Sequence, residues 1–433
     1  MSRRWTNWAG EQICAPSEIA RPTSEQQLAE LVAGASERGQ RVRAVGSGHS
    51  FTDCACTDGV MIDMTAMQRI VHVDRARARV TVEGGIRLSA LAATLAEHGL
   101  ALENQGDIDR QTITGAISTA THGTGAQLQN IAARIVGLRL VTAGGEVREL
   151  SAERDEHEYL AARVSIGALG VIASLTIQCV PLYTLHRHDG PMPISETLER
   201  LDELIDGNDH FEFFVFPYTK TALTRRMRRS AEQPVPPPRW RRRLQEDVLE
   251  NKALGAVCRT GRRYSRLAPQ LNRLVAAAMS ENQVEDRAHK VYPTKRAVRF
   301  TEMEYAIPRA SAREAVQRVV ALVPRLRLPI LFPLEVRFSA GDDAFLSTAH
   351  GRDTCYVAVH QFHGMEFETY FRAVEAIMDE YSGRPHWGKR HYQTAATLAS
   401  RYPDWERFQA VRRRLDPQGT FANDYTRRVL GPV

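Results

Sequence analysis

Apolar residues in EQQLAELVAGASERG, residues 25–39, recur at helical spacing and stop at Gly39, which predicts a helix with a glycine C-cap. The period then shortens. RVRAVG (41–46), GVMIDM (59–64), IVHVD (70–74) and ARVTVEGG (78–85) read as short strands separated by turns. RLSALAATLAEH (87–98) returns to the helical period, with Leu88, Leu91 and Leu95 on one stripe ahead of Gly99, the pattern of a helix packed on a sheet. RIVGLRLVTAGGEVREL reads as a hairpin around Ala143, Gly144 and Gly145, and IGALGVIASLTIQCV as a glycine turn into a buried strand ending near Pro181. Beyond it, TEMEYAIPR, LPILFPLEVRFSA and CYVAVHQFHG alternate like strands, and FETYFRAVEAIMDEYSG is an amphipathic helix ending at Gly383. The last helix stops at Asp416-Pro417, and no internal repeat is visible. Strands in runs, interrupted by helices, predict an α+β fold.

With 433 residues the chain exceeds the roughly 250–300 at which single cores stop growing, so two domains are expected. Apolar residues at 43% and charged ones at 25% suit a folded soluble protein. The N-terminus lacks a signal-type apolar region and no segment offers the roughly 20 apolar residues of a spanning helix, so a cytoplasmic protein with no membrane span is expected. Six scattered cysteines read as reduced thiols. The net charge of +6 is concentrated in RRMRRSAEQPVPPPRWRRR (225–243), read as a solvated, exposed insertion and not as a nucleic-acid site.

The stretch RVRAVGSGHSFTD (41–53) poses the chemical question. A Rossmann fingerprint needs a third glycine three residues after Gly48 and a helix opening there; that position is Phe51, and turn-like residues follow. What remains is a strand running into a glycine-flanked loop that carries His49. A second stretch, NQGDIDRQTITGAISTATHGTGAQ (104–127), is rich in Gly, Ser and Thr and reads as a long loop suited to wrapping a polar cofactor. Three further sets can carry chemistry. Glu335 and Arg337, two apart on a strand, share a face and could orient a polyol. His360 ends an apolar alternation near that sheet. RPHWGKR forms a turn presenting His386, Trp387 and Lys389. His360/His363 and His386/His391 lack companion ligands, so no metal is expected, and hydrolase elbow, zincin and Walker motifs are missing from the sequence.

Taken in order, VGSGHSFTD, GAISTATHGTGA, GALGVIASLTIQ, EMEYAIP, EVRF, RPHWGK and LDPQGTFANDY resemble the sugar-lactone and alditol oxidoreductases of the vanillyl-alcohol-oxidase flavoprotein superfamily, above all its aldonolactone oxidase branch. The resemblance spans nearly the whole chain. It implies a PCMH-type FAD-binding domain at 1–182, an α+β substrate-binding cap at 183–400, and a C-terminal segment, 401–433, returning to the first domain. FAD would be tethered covalently through His49, with Gly46, Ser47, Gly48, Ser50 and Phe51 along the pyrophosphate. Gly106, Asp107, Thr112, Gly115, Ser118, Thr121, His122, Gly123 and Gly125 would wrap the cofactor, and Val171 and Ile172 would meet the adenine side. Glu335, Arg337, Lys389 and His360 would form the catalytic set, oxidising a CH–OH group of a sugar lactone by hydride transfer to flavin N5. Oxygen is the acceptor expected, gated within STATH by Ala120 or Thr121. An alditol oxidase acting on xylitol or sorbitol, a dehydrogenase using a cytochrome or quinone, and a non-catalytic carbohydrate binder are the alternatives.

Overall fold

The computed structural model describes residues 4–238, 252–294 and 298–433. The first half of the chain builds two sheets. Glu18–Ala20, Val60–Asp63 and Val42–Val45 form a parallel sheet in that order, bridged by the helix Glu25–Glu37, whose Leu28, Val32 and Ala35 pack down on it. Ser24 caps this helix by accepting from the Gln27 amide. A five-stranded antiparallel sheet follows, ordered Val147–Ser151, Ile135–Val141, Val171–Gln178, Arg79–Glu83, Ile70–Asp74. The helix Leu88–Glu97 buries the expected Leu88, Leu91 and Leu95 in the largest core cluster.

Residues 184–385 carry an eight-stranded sheet, ordered Asn282–Arg287, Thr184–Pro193, Thr221–Ser230, His210–Val215, Leu334–Ser339, Thr354–Phe362, Phe300–Pro308, Arg384–Pro385. Two helices, Ala312–Leu326 and Glu368–Asp379, cover one face. Both are amphipathic, and their buried residues Val316, Val319, Phe371 and Val374 join Phe213, Tyr305, Val336 and Val357 of the sheet in one apolar cluster. The chain then returns. Helices Trp405–Leu415 and Asp424–Leu430 insert Phe408, Val411, Tyr425 and Val429 into the core of the first half. The Val42 amide donates to Thr420 O at 2.8 Å, and Asn423 Nδ2 donates to the carbonyls of Cys54 and Cys56.

Three readings of the sequence are corrected here. Residues 225–230 of the basic tract belong to an interior strand of the large sheet, Thr221–Ser230, with Arg225 buried against Asp189 and Glu212; residues 239–243 lie outside the described residues. The tract looked solvated because its charge partners are distant in sequence. The stretch 104–127 is not all loop, since Ile113–Ser118 is a helix held by burial of Ile113, Ala116 and Ile117. Trp387 is not presented by its turn: it is fully buried and donates its indole N–H to Leu346 O at 2.7 Å.

Candidate active site

Four neighbouring strands of the large sheet alternate strictly. Phe211, Phe213, Met303, Tyr305, Val336, Phe338, Val357 and Val359 join the apolar cluster, which leaves Glu212, Glu302, Glu304, Glu335, Arg337 and His360 on the opposite side. Register makes charged neighbours of these residues: Glu212 faces Arg337 on one side and Arg225 on the other, and Glu302 faces His360. Strand order thus turns scattered sequence positions into one charged floor.

The floor is tightly paired. Arg337 Nε donates to Glu212 Oε2 at 2.8 Å, its Nη2 lies 3.4 Å from Asp107 Oδ1, and it forms an ion pair with Glu335. Lys389 Nζ donates to Glu302 Oε1 at 2.5 Å and Glu304 Oε2 at 2.9 Å. His122 Nε2 sits 2.8 Å from Glu304 Oε1, with its ring stacked on Tyr356. His360 Nε2 lies 3.2 Å from Glu302 Oε1 and 3.9 Å from Glu335 Oε2.

These contacts move the carboxylates in opposite directions. Burial raises Glu335 to about 7, with Asp107 and Glu212 adding to the effect and Arg337 and His360 opposing it. Burial would also raise Glu302, but Lys389 and His360 outweigh it and hold the group at about 2. Glu304 stands well below the carboxylate range for the same reasons, with His122 in place of His360. His386 is pushed down to about 3 by burial and by Lys389. A carboxyl poised near neutrality beside a cation is a proton acceptor in waiting.

A cavity of about 510 Å³ opens above this floor, bounded by Glu302, Glu335, Arg337, His360, His386 and Lys389. It runs into a second, of about 110 Å³, between the parallel sheet and the stretch 111–119; His49, Ser50, Gln111 and Thr119 line both. The second cavity takes the shape of bare backbone. A Cβ at Gly46 would lie 2.0 Å from Thr112 Oγ1, and Gly48 has φ +64°. The amides of Ser47, Gly48, His49 and Ser50 have no acceptor among the described residues. An open run of N–H groups beside a narrow cleft fits the pyrophosphate of FAD, and the wider cavity beyond His49 fits its ring system. His49 stacks on Trp8 with centroids 5.0 Å apart, and burial, helped by Arg110, lowers it to about 4.

Of the residues expected from the sequence, Gly46, Ser47, Gly48, His49, Ser50, Thr112, Gly115, Ser118, Val171 and Ile172 line the narrow cavity. Phe51, Gly106, Thr121 and His122 line the wide one with Glu335, Arg337, His360 and Lys389. Within STATH, Thr121 stands on the wall while Ala120 is in the core cluster. Asp107, expected against the cofactor, also touches Arg337 and so belongs to the charged floor. Gly123 and Gly125 line neither cavity; a Cβ on Gly123 would strike Asn104 and one on Gly125 would strike Asp209 O, so both allow close packing of the chain. Glu302, Glu304, Glu212 and Arg225 were missed, whereas His386 was among the residues its turn was expected to present. The alternation Glu302-Met303-Glu304-Tyr305 was the available signal, because it sets both glutamates opposite the apolar face.

Comparison with known proteins agrees with this geometry. An FAD binding domain matches residues 16–151, and the D-arabinono-1,4-lactone oxidase family matches residues 175–429. An L-gulono-1,4-lactone dehydrogenase of Mycobacterium tuberculosis is 67% identical over 432 residues, 100% of both chains. A mouse L-gulonolactone oxidase is 33% identical over 434 residues, 99% of this chain and 98% of that one. The fold matches the crystal structure of cholesterol oxidase from B. sterolicum with a TM-score of 0.82, at 17% identity over 100% of this chain and 97% of that one. A charged floor over an FAD-type cradle, in a chain matched from end to end by these relatives, makes this protein a member of the D-arabinono-1,4-lactone oxidase family.

Proposed function

We propose that the protein oxidises a CH–OH group of a sugar-derived lactone, of the L-gulono-1,4-lactone type, with FAD as its hydride acceptor. The observation that carries this reading is the convergence of Glu335, Arg337, His360 and Lys389 on one wall of a cavity that also reaches His49. When bound, FAD supplies the two-electron sink at N5. The chain supplies the rest. Glu335, near 7, can take the hydroxyl proton at neutral pH, and Arg337 and Lys389 put positive charge where negative charge develops. Two full-length relatives named for L-gulonolactone chemistry support a lactone over an open-chain polyol such as xylitol.

In the same reading His49 is the point of a covalent flavin tether, since its buried imidazole is neutral with a lone pair available. Residues 1–182 act as the FAD domain, 183–400 as the substrate cap and 401–433 as the returning segment. Oxygen is the electron acceptor expected from the sequence, whereas the relative named a dehydrogenase favours a different acceptor. Six free cysteines suit a reducing, cytoplasmic setting, and among the described residues no helix is long and apolar enough to cross a membrane.

The test starts with acid precipitation of the yellow protein. Flavin should stay with the pellet in the wild type and leave it in His49→Ala; absence of flavin from the wild type overturns the reading. Anaerobic bleaching by L-gulono-1,4-lactone should then outpace bleaching by xylitol, and the reverse order would make the protein an alditol oxidase. Oxygen uptake against cytochrome c reduction separates the acceptors.

A further inference from the structure

His360 stands between a backbone carbonyl oxygen and two carboxyl groups. Its Nδ1 lies 3.0 Å from the carbonyl oxygen of Pro333. Its Nε2 faces two carboxylates, Glu302 at 3.2 Å and Glu335 at 3.9 Å. Glu302 cannot donate, because it is ionised between Lys389 and His360. Both ring nitrogens are therefore satisfied only when both carry hydrogen. The rings of Phe300 and Phe332 flank the imidazole, with centroids 5.3 and 6.3 Å away.

We infer that Glu302 is a positioning residue: it locks His360 as an imidazolium, and that imidazolium keeps the Glu335 carboxylate ionised and ready to take the substrate's hydroxyl proton. The inference deepens the lactone-oxidising reading and rests on it for the identity of the proton donor, though not for the charge of His360. The step balances. The O–H bond breaks with its proton on Glu335, and the carbinol C–H pair leaves as hydride for the bound FAD, giving a carbonyl. His360 cannot be the base, because it has no lone pair to offer.

The surrounding charges agree with this assignment. Burial and Lys389 work against the imidazolium, but Glu302 from the neighbouring strand and Glu335 from the other side outweigh them and raise His360 above its ordinary value. Lys389 is itself spanned by Glu302 and Glu304, and Arg337 is shared among Glu335, Glu212 and Asp107, which leaves His360 as the second cation acting on Glu335.

Histidine-selective ¹⁵N spectra of the holoenzyme, assigned by the missing signals of His360→Gln, read the charge directly. Both His360 nitrogens should be protonated at neutral pH; one bare nitrogen overturns the inference. In Glu302→Gln the ring should lose its second proton. The acid limb of anaerobic flavin reduction should then move to higher pH, on the order of one unit, as Glu335 loses a cation. Glu302→Asp should restore both, which a purely structural role would not require. An acid limb that stays put or moves down in Glu302→Gln overturns the inference even if the variant is slow. Should neither lactone nor polyol reduce the wild-type flavin, the functional reading fails, while the nitrogen spectra still decide the state of His360.

Discussion

Glu335 holds its proton more tightly in the folded chain than an exposed glutamate would, because burial outweighs Arg337. The consequence for stability has a definite sign. Below the ordinary glutamate range the group is neutral both folded and unfolded and costs nothing; as pH rises towards and through 7, the folded state must ionise a buried carboxyl and loses stability. Glu335→Gln should therefore melt higher than the wild type at pH 8, by up to about 3 kcal/mol of stability, and show little gain at pH 4. Arg337 keeps Glu212 and Asp107 as partners in that variant, so no cation is stranded. Turnover should fall steeply at every pH, on the order of 100-fold, because the proton acceptor is gone. Calorimetry at the two pH values and steady-state rates check both halves; unchanged turnover would remove Glu335 from the chemistry.

Between residues and domains stand the elements, and the loop after Val42–Val45 is held tightly against the stretch that begins at Thr112. Gly46→Ala would drive a methyl group into Thr112, at the place where strand and cofactor stretch touch. Thr112 belongs to a packed segment, since its neighbour Ile113 is fully buried, so the strain should cost about 1–3 kcal/mol and appear chiefly as lost flavin per mole of purified protein. A flavin content equal to wild type would show that the two segments can part freely. Much of this scale was readable in advance. The helices at 25–37 and 88–97, the hairpin around 144 and the alternating strands at 300–308 and 354–362 follow from periodicity alone. Glu302 was legible as an outward residue but not as the partner of His360, because strand order and register are not written in local pattern. Arg225 was misread for a related reason: a run of arginines looks solvated until Asp189 and Glu212 arrive from other strands.

At the scale of the whole molecule, Arg43 ties the parts together. Buried on the strand leading to the cofactor loop, its guanidinium donates to the carbonyls of Cys54, Ile166, Gly167 and Phe421, at distances from 2.5 to 3.1 Å. Those four residues come from three regions of the chain. Arg43→Leu would strand several carbonyls at once, each costing about 1–3 kcal/mol, so the variant should lose at least about 3 kcal/mol of stability and retain little FAD. Thermal melts with and without added FAD measure this. A midpoint within a degree or so of wild type would mean that water replaces the guanidinium.

The closing of the chain on its own beginning also sets an order of events during synthesis. Val42 and Arg43 find their partners in Thr420 and Phe421, and Asn423 fastens the turn that follows His49. A nascent chain whose first 182 residues have left the ribosome still lacks the strut beneath the loop that carries His49, and it gains that strut only once residues 420–423 have emerged as well. The first half is thus made early and finished late, so every strand of the large sheet, at 184–385, emerges before that loop is braced.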